Sequence, residues 1–399
     1  MSTLQACSLL FFLCLIPSAA FTQAEQANAQ AHYFGEAAGA GEANDGGADD
    51  DGGISQGPEA VPDLREKELK FKLQKRDIVV VPIPISNPTL DTGLVLGGAY
   101  FYPQSEDQKK VQPPSVTGAA GFKSSNGSKA FAVAHQSYLD SNTWRLGAIF
   151  GHADLKLGLR TPGEFSGGPT IDWLVRGDFL AAKVTRRISG KWYAGILARY
   201  IEMNQGFAIE TPSAAFNTNA DAKSAGLGFT VEYDSRDKPL NSYSGNIFEV
   251  DAVFNGSAFG SDDSYQSLGL KYRSYHTVMP SVVVAWETQA CARSDKAPLW
   301  DACRISLRGF PATDYLGKSS ASAQVEARWR FHRKWGAVAF AGGGYVTTPF
   351  SERKGRDLIP SYGIGLRFML LESQRINIRV DYARSDDSEA VYLSVGEAF

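Results

Sequence analysis

The feature that most limits how this chain can fold is a two-residue alternation of apolar and polar side chains, which recurs after residue 77. In residues 375–383 every second side chain is apolar, from Ile376 to Tyr382, and those between are mostly charged or amide-bearing. Successive side chains of a β-strand point to opposite faces, so this spacing predicts strands with one apolar and one polar face. The alternation returns in 247–254, 266–273, 321–331 and 361–370. The sequence therefore predicts an all-β fold of antiparallel strands.

Alternation alone fits a soluble sandwich, in which apolar faces meet, and a transmembrane barrel, in which they contact lipid. The strands are about ten residues long, the length that crosses a bilayer when tilted. Short turns alternate with longer loops, placed at 158–170, 206–221, 292–318 and 347–358. Aromatic residues near the strand ends would form the interfacial girdles of a barrel; they are Tyr100, Phe101, Tyr102, Trp144, Trp173, Trp192, Trp335 and Tyr392. Together these features favour a transmembrane antiparallel β-barrel.

The number of strands follows from a count and from barrel closure. We count about fifteen strands after residue 77, and because single-chain bacterial barrels normally close with an even number, we predict sixteen. The last predicted strand places Val391, Leu393, Val395 and Phe399 on one face. A terminal strand that ends in phenylalanine is typical of outer-membrane barrels, so we expect the chain in the bacterial outer membrane.

The start of the chain has the organisation of a secretory signal peptide. An apolar run from Leu9 to Ile16 precedes small residues, which predicts a signal peptide over 1–20 with cleavage after Ala20 or, alternatively, after Ala24. Residues 21–76 are poor in apolar side chains and rich in Asp, Glu, Gly and Ala, so we predict a flexible acidic periplasmic tail with one short helix at 62–75. The barrel domain is placed at 77–399.

Loss of the signal peptide would leave two cysteines, Cys291 and Cys303. In an exported protein, an even pair at a short spacing predicts a disulfide; two free thiols are the alternative. Neither cysteine has a histidine or a second cysteine pair close in sequence, so we predict no metal site.

Composition and motifs argue against two other classes of protein. The formal net charge of −3 shows no basic excess, so we expect no nucleic-acid partner. The histidines near the predicted strands are scattered, and no hydrolase or phosphate-loop motif accompanies them. We therefore expect no enzyme activity and no cofactor.

Several short segments, in this order and spacing, resemble one family. Residues 233–245 contain Asp234, Arg236, Asp237 and Gly245 and resemble a periplasmic turn; 307–310 read Leu-Arg-Gly-Phe; 326–331, 363–368 and 377–383 resemble the strands that follow. Over about residues 80–399 the chain resembles the bacterial surface antigen superfamily, the BamA/TamA-type assembly and translocation barrels. Paralogues with assigned roles carry periplasmic POTRA domains. Because only the tail precedes residue 77, we expect a member that lacks them.

The resemblance implies that the long extracellular loop folds into the barrel and docks through Arg308, Gly309 and Phe310. A guanidinium in the lumen requires a carboxylate, and Glu326 is the first expected partner, with Asp381 second. Arg328 is expected beside them as a competing cation of the inner wall. Gly342 stands where the family usually has an aspartate, so one expected partner of the loop arginine is missing.

Two functions remain open at this point. In the first, implied by the resemblance, the barrel assists insertion or translocation of proteins or lipids through a seam between its first and last strands. Its partners would be outer-membrane lipid and nascent outer-membrane proteins or a periplasmic protein. In the second, the barrel is a passive pore or structural protein without assembly activity.

Overall fold

The computed structural model describes residues 78–160, 170–211, 214–238, 241–347, 358–372, 375–386 and 388–399. The predicted signal peptide at 1–20 and the predicted acidic tail at 21–76 lie outside the described residues. Within the described part of the chain, no helix combines the length and the apolar character needed to cross a membrane.

Sixteen antiparallel strands close into a barrel, as the sequence predicts. They are β1 (Ile78–Asn87), β2 (Asp91–Phe101), β3 (Val116–Ser124), β4 (Lys129–Leu139), β5 (Trp144–Arg160), β6 (Thr170–Ser189), β7 (Trp192–Thr211), β8 (Ala214–Asp234), β9 (Gly245–Asn255), β10 (Tyr265–Met279), β11 (Val282–Arg293), β14 (Ser319–Trp329), β15 (Trp335–Thr347), β16 (Ile359–Leu371), β17 (Ile376–Ser385) and β18 (Glu389–Val395). A short helix, α1 (Glu106–Val111), follows β2. Two-residue strands β12 (Cys303–Arg304) and β13 (Leu316–Gly317) pair within the loop after β11.

The barrel is inverted relative to a soluble protein. On β14 the exposed positions are Ala323, Val325, Ala327 and Trp329, and the residues between them, including Glu326, are buried. Ile364 of β16 is 65% exposed, whereas Arg379 of the neighbouring β17 has no exposed surface. Apolar side chains outside and charged side chains inside are what a bilayer requires, so the polar face of the predicted alternation lines the lumen.

The strand connections divide between two rims. The lower rim, where β1 begins and β18 ends, carries the connections 102–115, 140–143, 190–191, 235–244, 280–281, 330–334 and 372–375; the upper rim carries the others, including 294–318 and 348–358. One predicted loop, 206–221, is wrong, because β7 and β8 continue through it and only 212–213 separates them. Strands β6, β7 and β8 have 20, 20 and 21 residues, about twice the predicted length.

The inner wall is chemically divided. On the side of β5 to β7 it carries a large apolar cluster, in which Leu155, Trp173, Phe179 and Ile201 are almost fully buried, beside a few buried cations such as Arg199. On the side of β9 to β17 it carries charged residues. The expectation of a charged lumen therefore holds for part of the wall only.

The chain leaves the wall before its last residue. β18 ends at Val395, and Gly396 has a positive φ of 94°, a conformation that glycine adopts without a steric penalty. Phe399 then lies buried with Ala398 against Tyr275 and Ala285 inside the barrel. The prediction that the last strand continues to Phe399, on one face with Val391 and Val395, is wrong, because this turn carries Phe399 into the lumen.

Candidate functional site

The long loop 294–318 carries the predicted motif, and its first half is held by a buried aspartate. Asp301 has no exposed surface and accepts hydrogen bonds from Arg199 Nη2 at 2.6 Å, Tyr265 Oη at 2.7 Å and Arg293 Nη2 at 3.1 Å. Burial alone would raise the pKa of Asp301, but the two guanidinium groups outweigh it and hold the pKa below its usual range. Asp301 therefore fixes the loop to β7, β10 and β11 as a carboxylate.

A disulfide joins the same part of the loop to the wall. Cys303 is bonded to Cys291 of β11, with their Cα atoms 5.6 Å apart, which confirms the predicted bond. The loop thus starts from two anchors, one covalent at Cys303 and one ionic at Asp301.

Arg308 lies against the inner wall with almost no exposed surface. Its Nη1 donates to Asp381 Oδ2 at 2.7 Å, and its Nη2 donates to Glu326 Oε2 at 2.6 Å and to Gln324 Oε1 at 2.6 Å. The structure brings both expected carboxylates to the arginine at once, because β14 and β17 present Glu326 and Asp381 to the same space. Arg328 lies beside them and donates to Glu326 Oε1 at 2.7 Å.

The absence of an aspartate at Gly342 is compensated by its neighbours. Gln324 is the cross-strand partner of Gly342 and supplies a third acceptor to Arg308. A Cβ atom at position 342 would come within 3.0 Å of the Gln324 Cα and Cβ atoms, so the glycine leaves Gln324 its room. The Phe340 ring, two residues away, lies 3.3 Å from the Arg308 guanidinium carbon. Neither Gln324 nor Phe340 is indicated as a partner of Arg308 by the sequence alone.

Gly309 and Phe310 have separate tasks. Gly309 has a φ of 114°, and a Cβ there would approach the Arg384 backbone to 3.0 Å, so the tight contact requires glycine. Its N–H donates to Tyr392 Oη at 2.8 Å, and its carbonyl accepts from Ser388 Oγ at 2.6 Å. Phe310 is buried in an apolar cluster with residues of the loop and of β15. The motif thereby contacts β18, the last strand.

The rest of the loop reaches the first strands. The Ala312 N–H donates to Thr89 Oγ1, in the β1–β2 turn, at 2.9 Å, and Thr313 Oγ1 donates to the Gly158 carbonyl of β5 at 2.6 Å. Trp300 joins the apolar cluster of that wall. The loop consequently contacts both sides of the barrel closure, strand β18 through Gly309 and the β1–β2 turn through Ala312.

At the lower rim, the predicted turn motif holds the connection 235–244 in shape. Arg236 Nη2 binds Asp234 Oδ2 at 2.7 Å, Asp237 accepts from the Tyr243 N–H at 2.9 Å, and Gly245 has a positive φ of 98°. Asp237 also binds Arg375, in the β16–β17 turn, at 2.5 Å. Burial opposes ionisation of Asp237, but the Arg375 hydrogen bond holds its pKa below the usual range. The motif therefore ties two lower-rim turns together.

The junction between β1 and β18 differs from every other junction in the barrel. β1 pairs with β2 over its whole length, but it pairs with β18 at one position, Ser86 opposite Leu393. By comparison, β17 and β18 pair without interruption from Ile378 to Arg384. We call the junction of β1 with β18 the seam.

Two prolines account for the weak pairing at the seam. Pro82 and Pro84 lack N–H groups, yet β1 pairs continuously with β2 through both positions. Along a strand, the backbone N–H and C=O groups of successive residues point alternately to the two neighbouring strands. Because β1 pairs continuously with β2, the positions that lack an N–H group, Pro82 and Pro84, must be among those that point toward β18. Ser86 has the same parity and carries a donor; Ile78 and Val80 carry one too, but by extension of the Ser86–Leu393 register they lie beyond Val395, where β18 ends. The seam pairs where that donor is present.

Fold and site together define a sixteen-stranded transmembrane β-barrel with a long loop docked on its inner wall. The Omp85 superfamily domain model matches residues 180–399. The chain belongs to the Omp85 superfamily, which confirms the assembly and translocation family that the motifs resemble. No curated protein sequence matches it.

Solved structures with the same fold include three at low sequence identity. BamA from Haemophilus ducreyi lacking POTRA domains 1–3 has a TM-score of 0.58 and 12% identity, over 81% of this chain and 70% of that one. CdiB from Acinetobacter baumannii has a TM-score of 0.55 and 11% identity, over 80% and 60%. CdiB from Escherichia coli has a TM-score of 0.53 and 10% identity, over 81% and 63%. The chain thus spans less than two thirds of either CdiB chain.

Proposed function

We propose that this protein assists the insertion or translocation of proteins at the outer membrane by opening its wall at the seam, and that it does so without enzymatic chemistry. The observation that carries the proposal is the pairing of β1 with β18 through Ser86 and Leu393, beside full pairing of β1 with β2. A net stabilisation of about 1 kcal/mol per backbone hydrogen bond makes this junction the least costly to separate.

An open seam would expose two strand edges of different chemistry. The β1 edge carries carbonyl groups at Pro82 and Pro84 without the matching N–H donors. A nascent β-strand could pair with the β18 edge in full, whereas the β1 edge would hold it weakly. We infer that a client enters by pairing with β18 and is released from β1 with little resistance.

The docked loop is placed to control opening of the seam. It contacts β18 through Tyr392 and the β1–β2 turn through Thr89, at 2.8 and 2.9 Å, so it holds the two sides of the seam from within. We propose that a client strand must displace these contacts before the upper part of the seam separates. The lower rim would face the periplasm, from which clients arrive.

The proposal is tested by tethering the seam. In the double variant Ser86→Cys, Leu393→Cys, an oxidised bond should hold β1 to β18 and abolish insertion of a model outer-membrane protein into liposomes. The matched control is Gly97→Cys with Ala120→Cys across β2 and β3, where a Cβ at 97 lies 4.0 Å from the Ala120 Cβ, within disulfide reach. This second tether should leave insertion unchanged.

The outcomes separate the two functions left open by the sequence. Loss of insertion with the seam tether and not with the control supports the proposal. Insertion that continues at the parent rate with the seam closed contradicts it. A parent protein that gives steady small-solute conductance and no insertion would instead be a passive pore.

A further inference from the structure

The hairpin between β14 and β15 places aromatic and basic side chains together at the lower rim. Residues 329–335 read Trp-Arg-Phe-His-Arg-Lys-Trp, and Trp329, Phe331 and Trp335 are 54%, 48% and 44% exposed. Arg330, Arg333 and Lys334 between them are exposed as well. Aromatic side chains at this height mark the level where acyl chains give way to headgroups.

A cleft lies beside this hairpin. Its lining includes five cationic side chains and one carboxylate, which are Arg328, Arg330, Arg333, Lys334, Arg367 and Glu397. Trp329 and Trp335, from the lipid-facing side of the wall, line the same cleft. The cleft is therefore continuous with the outer, lipid-facing surface.

The positive charge of the cleft is only partly neutralised. Arg333 binds Glu372 at 2.9 Å, Arg367 binds Glu397 at 2.7 Å, and Arg328 binds Glu326 at 2.7 Å. Within the described part of the chain, Arg330 and Lys334 have no carboxylate within 4.0 Å; the Arg330 guanidinium lies 5.9 Å from the Tyr243 ring. The Glu372 carboxylate acts on both cations at longer range, but among the described residues neither has an ion-pair contact of its own, so both can contact an anion.

The inner part of the cleft adds hydrogen-bond donors that are already dehydrated. Arg328 and Arg367 are 8% and 4% exposed, and among the described residues Arg328 Nη1 and Arg367 Nη2 have no hydrogen-bond partner. Buried donors without partners are costly, and a ligand that accepts from them recovers that cost. Guanidinium groups bind phosphate oxygens through their fixed fork of N–H groups.

We propose that this cleft binds the phosphate headgroup of an anionic phospholipid, with its acyl chains against Trp329 and Phe331. The chemistry of recognition is that of a phosphate ester, and the lipid-facing tryptophans in the lining favour a membrane lipid over soluble phosphate. Glu397 follows β18, but no residue of β1 or β18 lines the cleft, so the proposal stands whether or not the seam opens.

The test is lipid binding to the folded protein in neutral detergent, with bound molecules counted by native mass spectrometry. Dioctanoyl-phosphatidylglycerol should bind in preference to dioctanoyl-phosphatidylcholine. Arg330→Gln with Lys334→Gln should weaken phosphatidylglycerol binding about 30-fold, because two cations near the headgroup are removed. The conservative pair Arg330→Lys, Lys334→Arg should retain most of the binding.

The matched control is Arg186→Gln with Lys191→Gln, two exposed cations at another lower-rim hairpin that also ends in a tryptophan. This variant should bind phosphatidylglycerol like the parent. Equal binding of the two lipids, or unchanged binding by the Arg330→Gln, Lys334→Gln variant, overturns the proposal. Displacement of phosphatidylglycerol by an equal concentration of inorganic phosphate would show a soluble-anion site and overturn the assignment to lipid.

Discussion

At the residue scale, Arg308 shows what a sequence motif can and cannot specify. Its position in a loop and the need for a carboxylate could be read from the residues around it. The simultaneous use of Glu326 and Asp381 could not, because it depends on how far apart β14 and β17 stand in the closed barrel. Gln324 and Phe340 could not be predicted as partners of Arg308 either, because neither residue type requires a guanidinium partner.

Substitution of Arg308 should destabilise the folded barrel. Arg308→Ala removes one buried cation from Glu326, which keeps Arg328, and from Asp381, which keeps Arg367. It is expected to cost about 3 kcal/mol, the lower end of the usual effect of breaking a buried ion pair. Arg308→Lys should recover only part of this loss, because an ammonium group cannot supply the forked geometry. The temperature of the band shift in a heat-modifiability gel measures both effects. An unchanged temperature for Arg308→Ala would show that the docking is not structural.

Asp301 is the residue that sequence reasoning missed most clearly. It lies between Trp300 and Cys303, two residue types that are usually buried. An acidic residue in that position could have indicated a buried carboxylate. Its partners Arg199, Tyr265 and Arg293 come from three strands spread over about a hundred residues. Only the closed barrel brings them to one carboxylate.

At the element scale, the alternation predicted strands well within the bilayer and poorly beyond it. The hairpin of β7 and β8 extends above the membrane, where both faces of a strand can be polar, so the two-residue pattern fades in 206–221. The turn residues there predict a loop that the structure does not contain. Strand β18 was misjudged for another reason, since a positive-φ glycine ends it four residues early.

The prolines of β1 allow the strength of the seam to be changed by one residue. By extension of the Ser86–Leu393 register, Pro84 faces Val395, the last residue of β18. Pro84→Val would restore one donor toward β18 and should stabilise the seam by about 1 kcal/mol. The expected result is slower insertion into liposomes and greater protection of β18 amides from hydrogen exchange. Pro360→Val, at the start of β16, is the control and should alter neither; insertion as fast as in the parent would contradict the role of Pro84.

At the scale of the whole molecule, both mouths of the barrel are occupied. The loop 294–318 lies in the upper lumen against the inner wall, and at the lower mouth Phe399 lies inside while the 235–244 turn reaches Arg375. A barrel plugged in this way should pass few ions, which favours an assembly role over a passive pore.

The pH dependence of conductance follows from Asp301. Its pKa is depressed in the folded state by Arg199 and Arg293, with Tyr265 as a further donor. A depressed carboxyl stabilises the fold above its unfolded pKa of about 3.9 and loses this effect as the pH falls through the folded value. Planar-bilayer conductance should therefore stay low from neutral pH to about pH 4 and rise only below it. Asp301→Asn should conduct more at neutral pH, and a variant as closed as the parent would contradict the role of Asp301.

The loop that contacts both ends of the barrel also constrains the order of folding. The hydrogen bond from Ala312 to Thr89 joins residues 223 apart in sequence, and that from Gly309 to Tyr392 joins residues 83 apart. Contacts of such long range form late, because the chain entropy of closing large loops must first be overcome. The first and last strands must both be in place before the loop can contact them. Arg308 can therefore dock only after the barrel has closed. A probe on the loop would report the completion of folding rather than its start.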